Sequence, residues 1–154
     1  MHQTRRSVIK AGGAAALLAA FGGALLNPGR AQAAWNKGAF EAKSALDAMR
    51  ALGLANVEDS KAIDIRAPEI AENGAVVPID ITSNIPGTTS ISVFIEKNPF
   101  PYTGSFDFSQ GAVAYVHLRV KIGESSPVRV VATAGGKHYT SVKEVKVTIG
   151  GCGG

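Results

Sequence analysis

The chain has 154 residues, 16 Lys+Arg against 12 Asp+Glu, 45% hydrophobic and 6% aromatic residues and one cysteine. That is the profile of one folded domain and not of a disordered or collagen-like chain. Of the 16 basic residues, Arg5, Arg6, Lys10 and Arg30 precede residue 34, and every carboxylate follows it, leaving 12 basic against 12 acidic residues in the remainder. A neutral remainder lacks the electrostatic footprint of a nucleic-acid or anionic-membrane binder.

The N-terminal segment has three readable parts. Thr4-Arg5-Arg6-Ser7-Val8-Ile9-Lys10 sets paired arginines before apolar residues and a lysine, Ala11 to Leu26 runs without a charge, and Ala31-Gln32-Ala33 offers a small-x-small cleavage site. This resembles a twin-arginine export signal, with Val8-Ile9 where many such signals have Phe-Leu. A membrane span needs about 20 strongly apolar residues, and this run is shorter and rich in Ala and Gly. Residues 1–33 are therefore expected to be a signal peptide, with Arg5 and Arg6 as its export determinant and no membrane insertion. The mature chain then begins near Ala34 and works in the periplasm.

Trp35, Ala39, Ala42, Leu46 and Met49 recur at steps of three and four, which predicts a helix, with Asn36 as N-cap and Gly53 at its end. After Pro68 the period becomes two. Ile79 and Ile81 flank Asp80, Ile91-Val93-Ile95 alternate with Ser92 and Phe94, and Val116-Leu118-Val120-Ile122 alternate with His117, Arg119 and Lys121. Further strands are expected at Ala62 to Arg66, Phe106 to Phe108, Val128 to Thr133 and Tyr139 to Ile149. Asn73-Gly74, Pro86-Gly87, Asn98-Pro99 and Gly135-Gly136 are the turn signals between them. About seven short strands without strand-crossover-helix units predict a mainly β fold, an immunoglobulin-like antiparallel sandwich with one N-terminal helix spanning residues 34–149. Gly150-Gly151-Cys152-Gly153-Gly154 then reads as a flexible arm, because four glycines in five residues disfavour regular structure.

Catalytic signatures are scarce. There is no CxxC, HExxH, G-x-S-x-G or P-loop, and one cysteine is a poor basis for a zinc site, so no metal and no catalytic residue are expected. His117 and His138 read as solvated surface residues. In Asn98-Pro99-Phe100-Pro101-Tyr102 the two rings are expected to cap the core from a rigid turn.

Cys152 stands apart. Structural cysteines sit among apolar residues, whereas this one hangs on glycines past the last expected strand, so its thiol should be exposed. No Lys, Arg or His lies within five residues to activate it as a nucleophile. With no side chains on either flank, a narrow active site in another protein can accept the thiol together with its backbone. The plain alternative is an incidental thiol that forms an intermolecular disulfide.

Val145-Lys146-Val147-Thr148-Ile149-Gly150-Gly151-Cys152-Gly153-Gly154, with Ala71-Glu72-Asn73-Gly74-Ala75-Val76-Val77-Pro78 and Glu96-Lys97-Asn98-Pro99-Phe100-Pro101, resembles the SoxY family, sulfur carriers of the periplasmic sulfur-oxidising system. The resemblance covers the mature chain and its export signal, and Gly-Gly-Cys-Gly-Gly is its specific element. It implies an immunoglobulin-like domain that pairs with a SoxZ-like subunit and holds sulfur, thiosulfate or sulfite intermediates covalently on Cys152, with no other cofactor. It also implies a SoxAX-like haem protein that oxidatively conjugates thiosulfate to Cys152 and a SoxB-like hydrolase that removes sulfate. A SoxCD-like dehydrogenase, where present, oxidises the remaining sulfane sulfur. The chain is then a macromolecular substrate and not an enzyme. Two rivals are a thiol-dependent enzyme such as a sulfurtransferase, and a secreted assembly module with a covalent tail contact.

Overall fold

The computed structural model describes residues 36–148. Where the apolar spacing predicts one helix, the fold has two short ones, α1 (Lys37–Glu41) and α2 (Ala45–Ala51). The break comes from a second N-cap. Ser44 accepts the Asp47 N–H at 3.1 Å while its hydroxyl donates to the Asp47 carboxylate at 2.7 Å, a reciprocal arrangement that starts a helix afresh. Asn36 caps α1 as expected, taking the Ala39 N–H at 3.0 Å. The break turns Leu46 outward, 56% exposed, and leaves Ala39, Ala48 and Met49 buried. At the end of α2 the Gly53 N–H bonds to the Arg50 carbonyl and the Leu54 N–H to the Met49 carbonyl, the paired bonds of a Schellman cap.

Nine strands follow among the described residues: β1 (Val57–Asp59), β2 (Ile63–Arg66), β3 (Ile70–Ala71), β4 (Val77–Ser83), β5 (Thr88–Ile95), β6 (Tyr102–Asp107), β7 (Tyr115–Val120), β8 (Ser126–Ala134) and β9 (Lys137–Val147). One sheet runs β1-β9-β8-β5-β6, with β3 also on β9, and the other runs β2-β4-β7. The ladders are antiparallel except those of β1 and β3, each a short parallel strip along β9. These two strands, of three and two residues, are too short to show a period in sequence. Gly135 and Gly136, at φ +57° and +75°, form the tight link from β8 to β9, a backbone that suits a two-residue hairpin and that glycine adopts without strain.

The predicted alternation closes the core. Val77, Ile79 and Ile81 of β4 face Ile91, Val93 and Ile95 of β5 and Val128, Val130 and Ala132 of β8 in one buried cluster between the sheets, each large aliphatic side chain contributing about 1.5–3 kcal/mol by burial. Phe94 and Val131, one residue out of phase, point to the opposite face of the larger sheet. There they meet Ala39, Ala48, Met49, Leu54 and Tyr102 in a second cluster, so the helices cover that outer face. The result is the mainly β, immunoglobulin-type sandwich that the alternation predicts, with a helical layer on one side. Of the two loop rings expected to cap the core, Tyr102 does so, with its ring centroid 4.5 Å from that of Phe40 and 5.5 Å from that of Phe94. Phe100 does not: it is half-exposed, beneath the Lys43 ammonium at 3.6 Å. No helix among the described residues is long and apolar enough to cross a membrane.

Candidate functional site

Cys152, the glycines Gly150, Gly151, Gly153 and Gly154, and the arginines Arg5 and Arg6 lie outside the described residues. What the structure shows is how the chain is held just before residue 149. β9 pairs with β8 as far as Val145, opposite Ser126, where β8 begins. Beyond that point the β8 side offers no backbone partner, and a side chain stands in for one. The Ser125 hydroxyl accepts the Val147 N–H at 2.9 Å and reaches back to the Val147 carbonyl at 3.5 Å. On the other edge the Lys146 N–H bonds to the Glu69 carbonyl at 2.9 Å and the Thr148 N–H to the Ala71 carbonyl at 3.2 Å. The strand is thus held through Val147 on the β8 side and through Thr148 on the β3 side, the latter four residues before Cys152.

The two internal stretches quoted above converge on this end. Gly74 lies so close that a Cβ on it would sit 2.8 Å from Val147 Cγ1 and closer still to the Ile122 carbonyl oxygen, and its own carbonyl accepts the Ile122 N–H at 2.7 Å. Only a residue without a Cβ fits there. From the second stretch, Asn98 donates through Nδ2 to the Lys121 carbonyl at 2.8 Å and accepts the Gly123 N–H at 3.1 Å. The Lys97 N–H bonds to the Ser126 hydroxyl at 3.0 Å, and Arg129 Nε donates to Glu96 at 2.6 Å. Both stretches therefore brace the β7–β8 connection that carries Ser125.

Elsewhere the structure refines the reading of the histidines. His117 is half-exposed but is not merely solvated: its Nδ1 donates to Asp80 at 2.9 Å, and the Tyr115 hydroxyl donates to the same carboxylate oxygen at 2.5 Å. Asp80 and His117 sit directly opposite each other on β4 and β7, on the outer face of the smaller sheet. The Tyr115 hydroxyl, then the His117 ring, hold the Asp80 carboxyl below its ordinary pKa, and the bond to Asp80 holds the Tyr115 hydroxyl above its own. His138 contacts the Thr133 hydroxyl at 3.1 Å. Among the described residues no serine hydroxyl bonds to either histidine, and no group of three or more His, Cys, Asp and Glu side chains is placed to hold a metal. A cleft of about 630 Å³ between segments 83–89 and 108–114 is lined by no ionisable side chain. It opens at the start of β5, the end of the sandwich opposite Thr148.

Sequence reasoning missed Ser125 and the Asp80–Tyr115–His117 cluster. Gly74 and Asn98 lay inside the quoted stretches, but their joint purpose needs the fold.

The sulfur oxidation protein SoxY family matches residues 48–152, a span that reaches Cys152. Among solved structures the chain is similar to the sulfur carrier protein SoxY from Chlorobium limicola f thiosulfatophilum, at 44% identity and a TM-score of 0.61, over 68% of this chain and 96% of that one. It also resembles a superoxide reductase (neelaredoxin) from Ignicoccus hospitalis, at 17% identity and a TM-score of 0.50, over 63% of this chain and 86% of that one. That second likeness is one of fold alone. No curated protein sequence matches the chain. With a match from α2 through Cys152 and a solved relative 44% identical, the chain belongs to the SoxY family of sulfur oxidation proteins.

Proposed function

We propose that this protein is a periplasmic sulfur carrier that holds oxidised sulfur intermediates on the Cys152 thiol and presents them on the glycine-rich segment 150–154 to separate enzymes. The observation that carries the reading is the family match ending on Cys152 in a chain with a single cysteine. The anchoring of β9 up to Thr148 supports it: four residues of chain from there give Cys152 a reach of at most about 14 Å, at roughly 3.3–3.6 Å per residue. A tethered group cannot diffuse away and meets each enzyme at high effective concentration.

Loading is an oxidation. The Cys152 thiol and thiosulfate join through a new S–S bond, the thiol proton leaves, and two electrons pass to a SoxAX-like haem partner. A SoxB-like hydrolase then adds water across the bond to the terminal sulfonate, releasing sulfate and two protons and leaving a persulfide anion on Cys152. A SoxCD-like dehydrogenase, where the host has one, oxidises that sulfane sulfur. The carrier supplies no catalytic group to these steps and needs no cofactor or metal beyond the bound sulfur. A SoxZ-like subunit pairs with it, and the twin-arginine signal takes the folded pair out of the cytoplasm.

Two substitutions test this. Cys152→Ser should abolish thiosulfate oxidation in the reconstituted system while fold and partner binding persist; an active serine variant would overturn the carrier reading. Changing Arg5 and Arg6 to Lys should strand both subunits in the cytoplasm, and a partner that still reaches the periplasm would refute joint export. Turnover of thiosulfate with cyanide by the purified chain alone would point to a sulfurtransferase instead.

A further inference from the structure

The antiparallel ladder between β4 and β7 alternates residue pairs that exchange both backbone bonds with pairs that exchange none, and two observations set its phase. The Ser83 N–H bonds to the Ala114 carbonyl at 2.9 Å, so the exchanging pairs on β7 fall at Val116, Leu118 and Val120. Pro78, which has no N–H to give, stands opposite Arg119, in a pair that exchanges none. His117 and Arg119 therefore turn both their N–H and their carbonyl away from β4, toward the side where the smaller sheet has no further strand among the described residues. Tyr115 turns the same way, but its N–H is already taken by the Val113 carbonyl at 2.9 Å.

The other edges are guarded in ways that this one is not. β1 and β3 have three and two residues, β2 has four and pairs its own charges, Arg66 Nε to Asp64 at 2.9 Å, and β6 carries a bulge at Thr103, a device that spoils edge pairing. β7 has six residues and no register shift. Its outer side chains Tyr115, His117 and Arg119 are exposed, as is Lys121 one step beyond the strand, and Arg119 and Lys121 form no ion pair among the described residues. Charge on an edge repels strands of its own sign and so selects those of the other. We infer that the β7 edge is a docking site for an extended, acidic segment of a protein partner, which adds an antiparallel strand to the smaller sheet through the N–H and carbonyl groups of His117 and Arg119. Carboxylates at alternate positions of that segment lie beside Arg119 and Lys121, and apolar residues between them cover Leu118, which is only partly buried. A row of N–H and carbonyl groups is matched by another peptide backbone, which sets a protein segment apart from other anions. A second copy of β7 would set like charges against each other. The assignment does not depend on the carrier reading of Cys152.

The test uses the full-length chain at neutral pH with a capped Glu-Val-Glu-Val-Glu peptide as the probe, read by NMR titration and amide exchange. Binding should be saturable and should slow exchange of the His117 and Arg119 amides, while the Leu118 amide, already bonded to β4, stays as it was. Glutamine in place of every glutamate should weaken binding at least about twofold, since each exposed charge pair contributes about 1.4–5-fold. A peptide N-methylated at its glutamates keeps every charge but loses those backbone donors, and should not bind. The double variant Arg119→Glu with Lys121→Glu should prefer Lys-Val-Lys-Val-Lys, a reversal that a merely unfolded chain would not show. No saturable binding of the acidic peptide, unchanged exchange of the His117 and Arg119 amides in its presence, or equal binding of the N-methylated or the glutamine peptide would overturn the assignment. Failure of the carrier reading shows itself separately, as thiosulfate oxidation that survives Cys152→Ser.

Discussion

Gly74→Ala adds one methyl group where there is no room for it. The new Cβ would lie 2.8 Å from Val147 Cγ1 and closer to the Ile122 carbonyl oxygen. Val147 packs against the sandwich core, so its side chain has little freedom to withdraw. Overpacking of this kind costs about 1–3 kcal/mol. Moving the Ile122 carbonyl strains the neighbouring 2.7 Å bond from the Ile122 N–H to the Gly74 carbonyl, at about 0.5–1.5 kcal/mol more. The expected loss is therefore about 1.5–4.5 kcal/mol. Gly104→Ala on β6 is the control: nothing lies within 4 Å of its Cβ position, and alanine in a strand should be neutral or stabilising by up to about 1 kcal/mol. Urea midpoints at an unchanged m-value separate the two. Equal midpoints, or a loss in Gly104→Ala as large as in Gly74→Ala, would refute the claim that close approach is what requires glycine at residue 74.

Phe94→Ala should destabilise the fold by about 3–5 kcal/mol, because Phe94 is fully buried beneath the helices; amide exchange should show α1 and α2 opening before the sandwich, and protection lost uniformly would contradict the two-cluster arrangement. Asp80 should titrate below its ordinary 3.8, so the stability its carboxylate contributes is present above that value and is lost as pH falls through the lower folded one. Tyr115 behaves in mirror image, contributing below its ordinary 10.0 and losing that contribution as pH rises through its higher folded value. Tyr115→Phe should move the Asp80 carboxyl titration upward by NMR; an unmoved titration would show that the hydroxyl is not its main partner.

The parts of this fold that were legible in sequence are those written in a period. The alternations at Ile79 to Ile81, Ile91 to Ile95 and Val116 to Ile122 fell on strands β4, β5 and β7 and supplied the core, although β7 ends at Val120 and Ile122 is buried just beyond it, since a period of two can bury only one face. The helical stripe misled because residue spacing says nothing of Ser44, whose side chain competes for backbone N–H groups and restarts the helix. β1 and β3 are held by β9 and not by any pattern of their own. Phe106 to Phe108 gave away only the end of β6, which begins at Tyr102, because Gly104 and Ser105 carry no strand signal. Cys152 drew attention in the sequence through its flanking glycines, and it lies outside the described residues. Ser125 was not legible, because a serine in a loop acquires a purpose only when the register puts the end of a strand beside it. The same holds for Asp80 and His117, 37 residues apart in sequence and bonded only once β4 pairs with β7.

Intact-mass spectrometry of the protein from cells grown on thiosulfate tests the attachment of sulfur to Cys152 most directly. The predicted spectrum contains species heavier than the bare mature chain by sulfur, sulfite or thiosulfate groups, all removed by a reducing thiol because each is bound through an exchangeable sulfur–sulfur linkage, and all missing from Cys152→Ser. An unmodified wild-type cysteine during active thiosulfate oxidation, or only a disulfide-linked dimer, would contradict it.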